Sequence, residues 1–280
     1  MTRRPKSEKT LGKFAGSLVL LGAGKMGGAM LDGWIARGLA PKRIKIIEPQ
    51  PGKAVKALTR RGIKLNPKGK IAAAAAIVIA VKPQSAPAAL PPLRPYVGKT
   101  TLVLSIMAGR TIGFLEQSLA PGTAIVRAMP NTPAAIGRGI SVAVANAKVS
   151  ARQHKLAGDL LAAIGKVEWA GDETLMDAVT ALSGSGPAYI FLLAEAMTKA
   201  GIATGLPADL AARLARETVA GSGELLHRSE LDAATLRQNV TSPGGTTAAA
   251  LEVLMGPGGF EELLTRAIAA ATRRSRELAG

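Results

Sequence analysis

Short apolar runs alternate with helical patterns from Ser17 onward. Five of the runs are predicted to be β-strands: Leu18–Leu21, Ile44–Ile47, Ile77–Val81, Thr101–Ile106 and Ala124–Met129. The intervening helices are predicted at about 25–37, 51–61, 84–91 and 111–119. Continuous apolar strands joined by helical crossovers are typical of a parallel sheet with both faces covered, because such strands meet water on neither side. The first part of the chain is therefore predicted to form an α/β domain.

The pattern changes after Glu173. A last strand pair, Ser141–Ala145 and Val167–Trp169, brackets a predicted helix at about 150–163. Beyond it, Gly, Pro and Ser residues divide the chain into helices alone. These are predicted at 174–181, 186–203, 207–228, 232–239, 246–255 and 258–277. Leu and Ala occupy most of their faces, so we expect this all-α domain to share its core with a second subunit.

Three segments follow from these patterns. We predict a sheet domain at 17–173 and a helical domain at 174–280. Residues 1–16 are basic and polar and are predicted to be a flexible extension. With the apolar Ser17–Leu21 behind it, this extension resembles a secretion signal, but the run leads directly into Gly22. A first β-strand therefore explains the run better.

Composition narrows the classes of function. The chain of 280 residues has 0 cysteines, which excludes disulfides, thiolate metal sites and cysteine nucleophiles and suits a reducing cytoplasm. The longest apolar stretch, Ile71–Val81, is shorter than the roughly 18 residues that span a bilayer, so we expect no membrane helix. The net charge is +17, but basic residues are scattered and only 3% are aromatic. We therefore expect an anionic cofactor and substrate rather than nucleic acid, and no metal.

A glycine motif between the first strand and the first helix indicates nucleotide binding. The segment Gly22-Ala23-Gly24-Lys25-Met26-Gly27 matches GxGxxG. In this pattern the first glycine permits a tight turn, the second admits a pyrophosphate, and the third lets the helix pack on the strand. The context predicts a Rossmann-type dinucleotide domain. A glycine-rich turn that packs without a ligand is the alternative.

Glu48 ends the second predicted strand, where nicotinamide cofactors are distinguished. A carboxylate there accepts hydrogen bonds from a ribose hydroxyl and repels a 2′-phosphate, which favours NADH. Nearby Lys53, Lys56 or Arg60 could compensate for the phosphate. Both NADH and NADPH therefore stay open.

Near the end of the chain, Val240-Thr241-Ser242-Pro243-Gly244-Gly245-Thr246-Thr247 predicts an anion-binding turn at the start of a helix. The glycines allow close backbone approach, and a helix N-terminus offers free N–H groups. A phosphate loop would carry a lysine after its glycines, and this turn has none. We expect a small carboxylate there.

Together with this turn, three other segments closely resemble the pyrroline-5-carboxylate reductase family in order and spacing. They are Ala80-Val81-Lys82-Pro83-Gln84, Met129-Pro130-Asn131-Thr132-Pro133, and the run from Asp177 to Tyr189. The resemblance covers the chain from about Ser17 to the C-terminus. It implies reduction of 1-pyrroline-5-carboxylate to L-proline, the last step of proline biosynthesis, with hydride from NADPH or NADH. It also implies a homodimer through the helical domain and, beyond it, a decamer.

The resemblance assigns roles to residues. Val81, Lys82 and Pro83 would line the nicotinamide side of the cofactor, with Asn131 beside the nicotinamide ribose. The substrate carboxylate would be held by hydroxyl and backbone N–H groups, at Ser242, Gly245, Thr246 and Thr247. Thr247 would also lie nearest the ring nitrogen and is the predicted catalytic residue, and Glu230 is a candidate for the surrounding polar network. The family often has a small polar residue where this chain has Glu48.

Several of these residues also fit purely structural roles. Lys82 could be a solvated charge at a strand end, Asn131 part of a turn, and Glu230 an exposed carboxylate. Thr246 and Thr247 could be helix caps. His154 and His227 have no partner at ligand spacing and are expected to be surface or hydrogen-bonded structural histidines rather than catalytic ones.

Two other functions remain as alternatives. A 3-hydroxyacid dehydrogenase of the 6-phosphogluconate type shares the nucleotide domain and following helices, but it needs a lysine early in a helix where this chain has none before Lys199. A non-enzymatic nucleotide-binding scaffold would keep the fold without the chemistry. The intact Ser242–Thr247 turn argues against the scaffold.

Overall fold

The computed structural model describes residues 10–69 and 71–279. They form two compact units. The first contains the described residues up to Gly184 together with 272–279, and the second is Ser185–Ala271. This division falls later than the change of sequence pattern near residue 173, and the end of the chain returns to the first unit.

An eight-stranded sheet organises the first unit, in the order β3-β2-β1-β4-β5-β6-β7-β8. The strands are β1 Leu18–Leu21, β2 Ile44–Ile47, β3 Lys64–Leu65, β4 Ala76–Ile79, β5 Leu102–Ser105, β6 Ala124–Pro130, β7 Gly139–Ala145 and β8 Gly165–Trp169. The seven strands expected from the sequence are all present, and the short edge strand β3 was not predicted.

The sheet departs from the predicted parallel arrangement at one pair. β7 runs antiparallel to β6, while the other neighbouring strands are parallel. The connection between them contains only the 3₁₀ helix Thr132–Ile136. A parallel neighbour needs a crossover of about a dozen residues or more, so this short link turns the chain back on itself.

Both faces of the sheet are covered, as expected. Leu18 and Leu20 of β1 belong to one hydrophobic core with Trp34, whereas Val19 and Leu21 belong to a second core on the other face. All four β1 residues are buried. Alternate side chains of an extended strand point to opposite faces, which explains why the whole run is apolar.

Helices of the first unit are α1 Lys25–Ala36, α2 Lys53–Leu58, α3 Ala86–Ala89, α4 Ile112–Ser118, α5 Ala151–Leu161 and α6 Met176–Val179. The helix predicted at 84–91 contains only the one α-helical turn of α3, which lies between the 3₁₀ helices Pro83–Ser85 and Pro91–Tyr96. Prolines remove the backbone donors that a longer α-helix would need. After α6, the five residues Thr180–Gly184 form a π-helical turn, which overlaps the end of the helix predicted at 174–181 and continues beyond it.

The segment 10–16 packs on the first unit, which corrects the expectation of a free extension there. Leu11 and Phe14 are buried in the same core as Trp34. The Leu11 N–H donates to the Arg37 carbonyl at 3.1 Å. Two apolar side chains three residues apart thus fix this segment. Residues 1–9 of the predicted extension lie outside the described residues.

Helices form the second unit: α7 Gly186–Ala203, α8 Ala208–Arg228, α9 Ala233–Asn239, α10 Thr246–Met255, and α11 Phe260–Ala279, whose last turns belong to the first unit. α7 and α8 pack closely, since a Cβ added to Gly201 would lie 3.2 Å from the Ala211 Cβ. No described helix is long and apolar enough to cross a bilayer.

Large apolar side chains of the second unit remain exposed. Phe191 is 69% exposed and Val253 is 76% exposed. α7 is apolar along most of its length, yet none of its residues is buried. A helix that is apolar all round normally has its faces covered, so this unit presents a surface suited to a protein partner.

Candidate functional site

Gly22 and Gly27 shape the turn between β1 and α1. Gly22 has φ +87°, and a Cβ there would lie 2.7 Å from the Ala80 carbonyl oxygen. A Cβ on Gly27 would overlap the Gly22 carbonyl oxygen. Neither position accepts a side chain without displacing backbone, which agrees with their predicted roles in the turn and in helix packing.

Gly24 differs from its neighbours because it faces open space. A Cβ there would meet nothing within 4 Å, and its φ of −69° is available to any residue. Gly24 is also the N-cap of α1, whose first-turn N–H groups follow at Lys25 and Met26. An open backbone at a helix N-terminus fits the pyrophosphate of a dinucleotide. This geometry agrees with cofactor binding and shows no packing need for glycine at position 24.

The Glu48 carboxylate is held against the glycine turn. Its Oε2 accepts the Ala23 N–H at 2.9 Å, and its Oε1 accepts the Gln50 N–H at 3.0 Å. It lies directly after β2, beside β1 in the sheet. A fixed negative charge therefore stands next to the backbone of the turn.

Asn66 supports this arrangement and was not found from the sequence. Its Oδ1 accepts the Glu48 N–H and its Nδ2 donates to the Glu48 carbonyl, both at 2.8 Å. Asn66 has φ +43°, a left-handed conformation that asparagine tolerates better than most residues. The Asn66-Pro67 pair, a common turn signal, is the only hint that the sequence offers.

Val81, Lys82 and Pro83 follow β4 at the same edge of the sheet. A Cβ on Gly22 would lie 2.9 Å from Val81 Cγ1, so the turn and this segment are in contact. Lys82 is extended, and Pro83 begins a 3₁₀ helix. The Pro83 carbonyl accepts the Arg110 Nε–H at 3.3 Å. Since β1, β2 and β4 are parallel, their carboxyl ends bring these predicted cofactor residues together.

Asn131 follows β6 at that edge and joins three segments. Its Oδ1 accepts the Ile140 N–H at 3.0 Å, and its Nδ2 lies 3.5 Å from Ser183 Oγ. Ser183 belongs to the π-helical turn, and a Cβ on the adjacent Gly184 would overlap the Met129 methyl group. Single-turn π-helices are frequent at functional sites. Asn131 therefore does more than form a turn.

The Ser242–Thr247 turn is described within the second unit. Gly244 has φ +69°, and the Gly245 N–H donates to the Ser242 carbonyl at 3.0 Å. Gly245 is the N-cap of α10, so Thr246 and Thr247 are its first two residues and no side chain caps the helix. The capping role considered for these threonines is therefore wrong. Their hydroxyl groups and the first N–H groups of α10 are available to an anion.

Glu230 is exposed and lies in the connection between α8 and α9. Within the described part of the chain, no hydrogen bond or ion pair joins its carboxylate to the Ser242–Thr247 turn. The next acidic residue, Asp232, caps α9 by accepting the Thr235 N–H at 2.7 Å. That backbone hydrogen bond holds the pKa of Asp232 below its usual value. Glu230 therefore stays a prediction.

Among residues 10–69 and 71–279, no three histidine, cysteine, aspartate or glutamate side chains lie close enough to hold a metal ion. His154 stacks on Trp169 with ring centroids 3.6 Å apart. The predicted site residues offer hydrogen bonds from hydroxyl and N–H groups, and Glu48 and Lys82 offer charge.

Known proteins match both units. Residues 173–278 match the family model "Pyrroline-5-carboxylate reductase dimerisation", and 17–109 match "NADP oxidoreductase coenzyme F420-dependent". A pyrroline-5-carboxylate reductase of Pseudomonas aeruginosa is 41% identical over 264 residues, or 94% of this chain and 96% of that one.

Solved structures give the same result. A pyrroline-5-carboxylate reductase from Coxiella burnetii superposes with a TM-score of 0.86 at 35% identity, over 95% of this chain and 99% of that one. The Plasmodium falciparum pyrroline carboxylate reductase with NADP bound superposes with a TM-score of 0.78 at 28% identity, over 98% of this chain and 100% of that one. The glycine turn, the Asn131 junction, the Ser242–Thr247 turn and these matches identify the chain as a member of the pyrroline-5-carboxylate reductase family.

Proposed function

We propose that the chain reduces 1-pyrroline-5-carboxylate to L-proline with a nicotinamide nucleotide, as the last step of proline biosynthesis. Family membership supports the activity, with relatives of this name aligned over nearly the whole chain. The observation that carries the proposal is that the chain has both an open glycine turn at Gly24 in the first unit and an uncapped helix start at Thr246 in the second. The first suits a dinucleotide and the second a small carboxylate.

The residues at the carboxyl edge of the sheet would hold the cofactor. Gly24 and the first N–H groups of α1 fit its pyrophosphate, and Glu48 fits a ribose hydroxyl. Val81, Lys82 and Pro83 would contact the nicotinamide side, and Asn131 the adjoining ribose. When bound, the nicotinamide supplies the hydride that reduces the ring C=N bond.

The Ser242–Thr247 turn would hold the substrate carboxylate. Ser242, Thr246 and Thr247 offer hydroxyl groups, and the first N–H groups of α10 offer the positive end of a helix dipole. Thr247, the half-buried one of the two threonines, would donate or accept a hydrogen bond at the ring nitrogen. Reduction of an imine needs no protein nucleophile, so orientation by these groups supplies much of the acceleration.

Glu48 supports NADH as the preferred cofactor. Its carboxylate is fixed beside the glycine turn by two backbone hydrogen bonds, where a 2′-phosphate would meet its charge. The Plasmodium falciparum relative was solved with NADP. Lys53, Lys56 and Arg60 are the cations on α2 and the 3₁₀ turn after it that would offset this repulsion. The ratio of catalytic efficiencies with NADH and NADPH shows whether the repulsion by Glu48 or the attraction by these cations is the larger effect.

We propose a homodimer formed through the helical unit as the minimal assembly. The match to a dimerisation family supports oligomerisation, and the exposed Phe191 and Val253 support the helical unit as its location. Covering such a surface favours association through the hydrophobic effect. A decamer built from five dimers is the larger assembly to test. Sedimentation velocity separates the monomer, dimer and decamer by mass.

We also propose that the enzyme works in the cytoplasm. A chain with 0 cysteines needs no oxidising compartment for its folding. Fractionation of cells that produce the protein tests this, and recovery in a secreted or membrane fraction would overturn it.

The alternatives make different predictions in one assay. Purified protein is supplied with pyrroline-5-carboxylate and either NADH or NADPH, and loss of the reduced nicotinamide absorbance is followed. We expect turnover with at least one cofactor and formation of proline. Turnover of a 3-hydroxyacid with NAD or NADP instead would favour the dehydrogenase. Tight cofactor binding without turnover of either substrate would favour the scaffold.

A further inference from the structure

The first unit contains a cavity of about 770 Å³ at the edge of the sheet opposite the glycine turn. Ala75 and Thr100 line it, and they lie just before β4 and β5. Gly22 follows the other end of the parallel strand β1. Lys148 also lines the cavity, since β7 runs antiparallel and ends at this edge. The cavity is therefore separate from the residues assigned to the cofactor.

Three segments form the walls of the cavity. One is the segment 10–15, which the burial of Leu11 and Phe14 fixes on the unit. The second is the loop at Lys99, and the third is the start of α5. The Gln153 side-chain amide donates to the Thr100 carbonyl at 3.2 Å, which joins the second wall to the third. The cavity is thus built from well-packed segments.

The charged residues of the lining are mostly cationic. They are one carboxylate, Asp159, and five cations: Lys13, Lys99, Lys148, Arg152 and Lys155. Asp159 pairs with Lys155 at 2.8 Å. In the described part of the chain, the other four cations have no carboxylate partner. Like charges around a concave surface repel each other and attract an anion that neutralises several of them at once.

The start of α5 adds to this positive field. Ser150 caps the eleven-residue helix by accepting the Gln153 N–H at 3.3 Å. The helix dipole and the N–H groups of Ala151 and Arg152, which precede the capped Gln153, favour a negative charge near Arg152. An arginine at that position can bind a phosphate with two hydrogen bonds.

We propose that this basic cavity binds a small anion with two or more phosphate groups. A single carboxylate would neutralise one of the four cations, whereas a diphosphate carries enough charge for most of them. A volume of about 770 Å³ lies in the range of small-molecule sites. Inorganic diphosphate and an organic diphosphate share this chemistry. The segment 10–15 has no role in the cofactor or substrate site. In this proposal it forms one wall of the anion site.

The test is calorimetric titration of the full chain with pyrophosphate and, separately, with ADP, both in saturating NADPH so that the nucleotide site is filled. We expect one pyrophosphate site per chain. Lys99→Glu and Arg152→Glu should each weaken binding about tenfold, because each removes a charge-assisted contact and adds a repulsive one. Lys166→Glu, an exposed cation on β8 outside the lining, is the matched control and should leave binding unchanged. Tighter binding of ADP would assign the organic diphosphate, and equal binding the inorganic one.

Three results would overturn the proposal. The first is absence of binding to folded protein. The second is pyrophosphate binding that occurs only when the titration is repeated without NADPH, which would locate the anion at the glycine turn. The third is equal weakening by Lys166→Glu, which would show general attraction to a chain of net charge +17. NADPH affinity should stay the same in all three variants, so failure here is separable from failure of the reductase assignment.

Discussion

The Arg127 guanidinium donates a 2.7 Å hydrogen bond to the Glu173 carboxylate, and the arginine side chain is only 5% exposed. The same carboxylate oxygen accepts the Ile112 N–H at 2.8 Å, at the start of α4. Glu173 is where the match to the dimerisation family begins. One carboxylate therefore joins strand β6 and helix α4 to the segment that leads to α6 and the π-helical turn.

Glu173→Gln should lower the free energy of unfolding by about 2 kcal/mol, because it removes the charge from two hydrogen bonds, one of them to a buried cation. Chemical denaturation measures the change. Glu195→Gln is the control, since Glu195 and its partner Lys199 are both largely exposed. That variant should leave the free energy of unfolding nearly unchanged, because solvent screens an exposed pair. Equal effects in the two variants would show that the Arg127 pair contributes no more than a surface pair.

Gly24→Ala should separate cofactor binding from folding. The added methyl group meets no protein atom within 4 Å, so the melting temperature should stay within about 2 °C of the parent. The same methyl group would stand where a pyrophosphate approaches the backbone, so the Kd for NADH and NADPH should rise about tenfold or more. Gly27→Ala is the contrasting variant, because its methyl group overlaps the Gly22 carbonyl and should destabilise the protein itself. Unchanged nucleotide affinity in Gly24→Ala would remove the turn from the cofactor site.

Glu48→Gln should shift cofactor preference toward NADPH. The amide oxygen can keep a hydrogen bond to the Ala23 N–H while the negative charge is lost. We expect the NADPH to NADH ratio of kcat/KM to rise about tenfold, the effect of roughly 1.4 kcal/mol. Glu168→Gln changes an exposed carboxylate on β8 and serves as the control for net charge. If both variants move the ratio equally, Glu48 does not contact the cofactor.

Thr247→Ala should cut kcat/KM for pyrroline-5-carboxylate about a hundredfold while leaving the Kd for NADPH unchanged. The hydroxyl caps no helix, so its removal should cost little stability. Thr235→Ala, on α9 outside the turn, controls for the loss of a threonine hydroxyl from the same unit. Full activity in Thr247→Ala would show that the substrate lies elsewhere.

Stability of the helical unit should depend on the charge of Asp232. The Thr235 backbone N–H lowers the pKa of this carboxyl in the folded protein. Its contribution is therefore complete above the unfolded pKa and is lost as pH falls through the lower, folded pKa. Asp232→Asn keeps the capping oxygen but does not ionise. The denaturant concentration at the unfolding midpoint should fall less for Asp232→Asn than for the parent as the pH is lowered from about 5 to about 2. An equal fall in both proteins would show that the Asp232 charge does not stabilise the unit.

The sequence predicted most strands closely because both faces of the sheet are buried. β1 and β2 match their predicted bounds, since there the apolar run and the strand are the same length. β3 was missed because two residues at a sheet edge carry too little pattern. The direction of β7 is set by the short connection after β6, and the hydrophobic pattern of a strand does not show its direction.

The sequence predicted which residues belong to the candidate site better than it predicted the contacts between them. The glycine turn and the Ser242–Thr247 turn follow from backbone requirements that glycine and helix starts make visible. The hydrogen bond from the Ala23 N–H to the Glu48 carboxylate, and that from the Glu48 N–H to Asn66, join residues distant in sequence. Local patterns do not predict such contacts. Likewise, Leu11 and Phe14 are isolated apolar residues in a basic, polar segment, so the sequence does not show that they pack in the core.

The helical unit is inserted into the sequence of the first unit, and a hydrogen bond between Ser275 and Asp177 joins the two flanking segments. The Ser275 hydroxyl, on a residue only 6% exposed, donates to the Asp177 carboxylate at 2.6 Å and joins the end of α11 to α6. The chain thus leaves its first unit at Gly184 and re-enters it at Thr272. The first unit consequently cannot complete its packing during synthesis until α11 has emerged from the ribosome. Any chimaera that exchanges the helical unit with a relative must be joined at two places, before Ser185 and after Ala271, so that this hydrogen bond is kept.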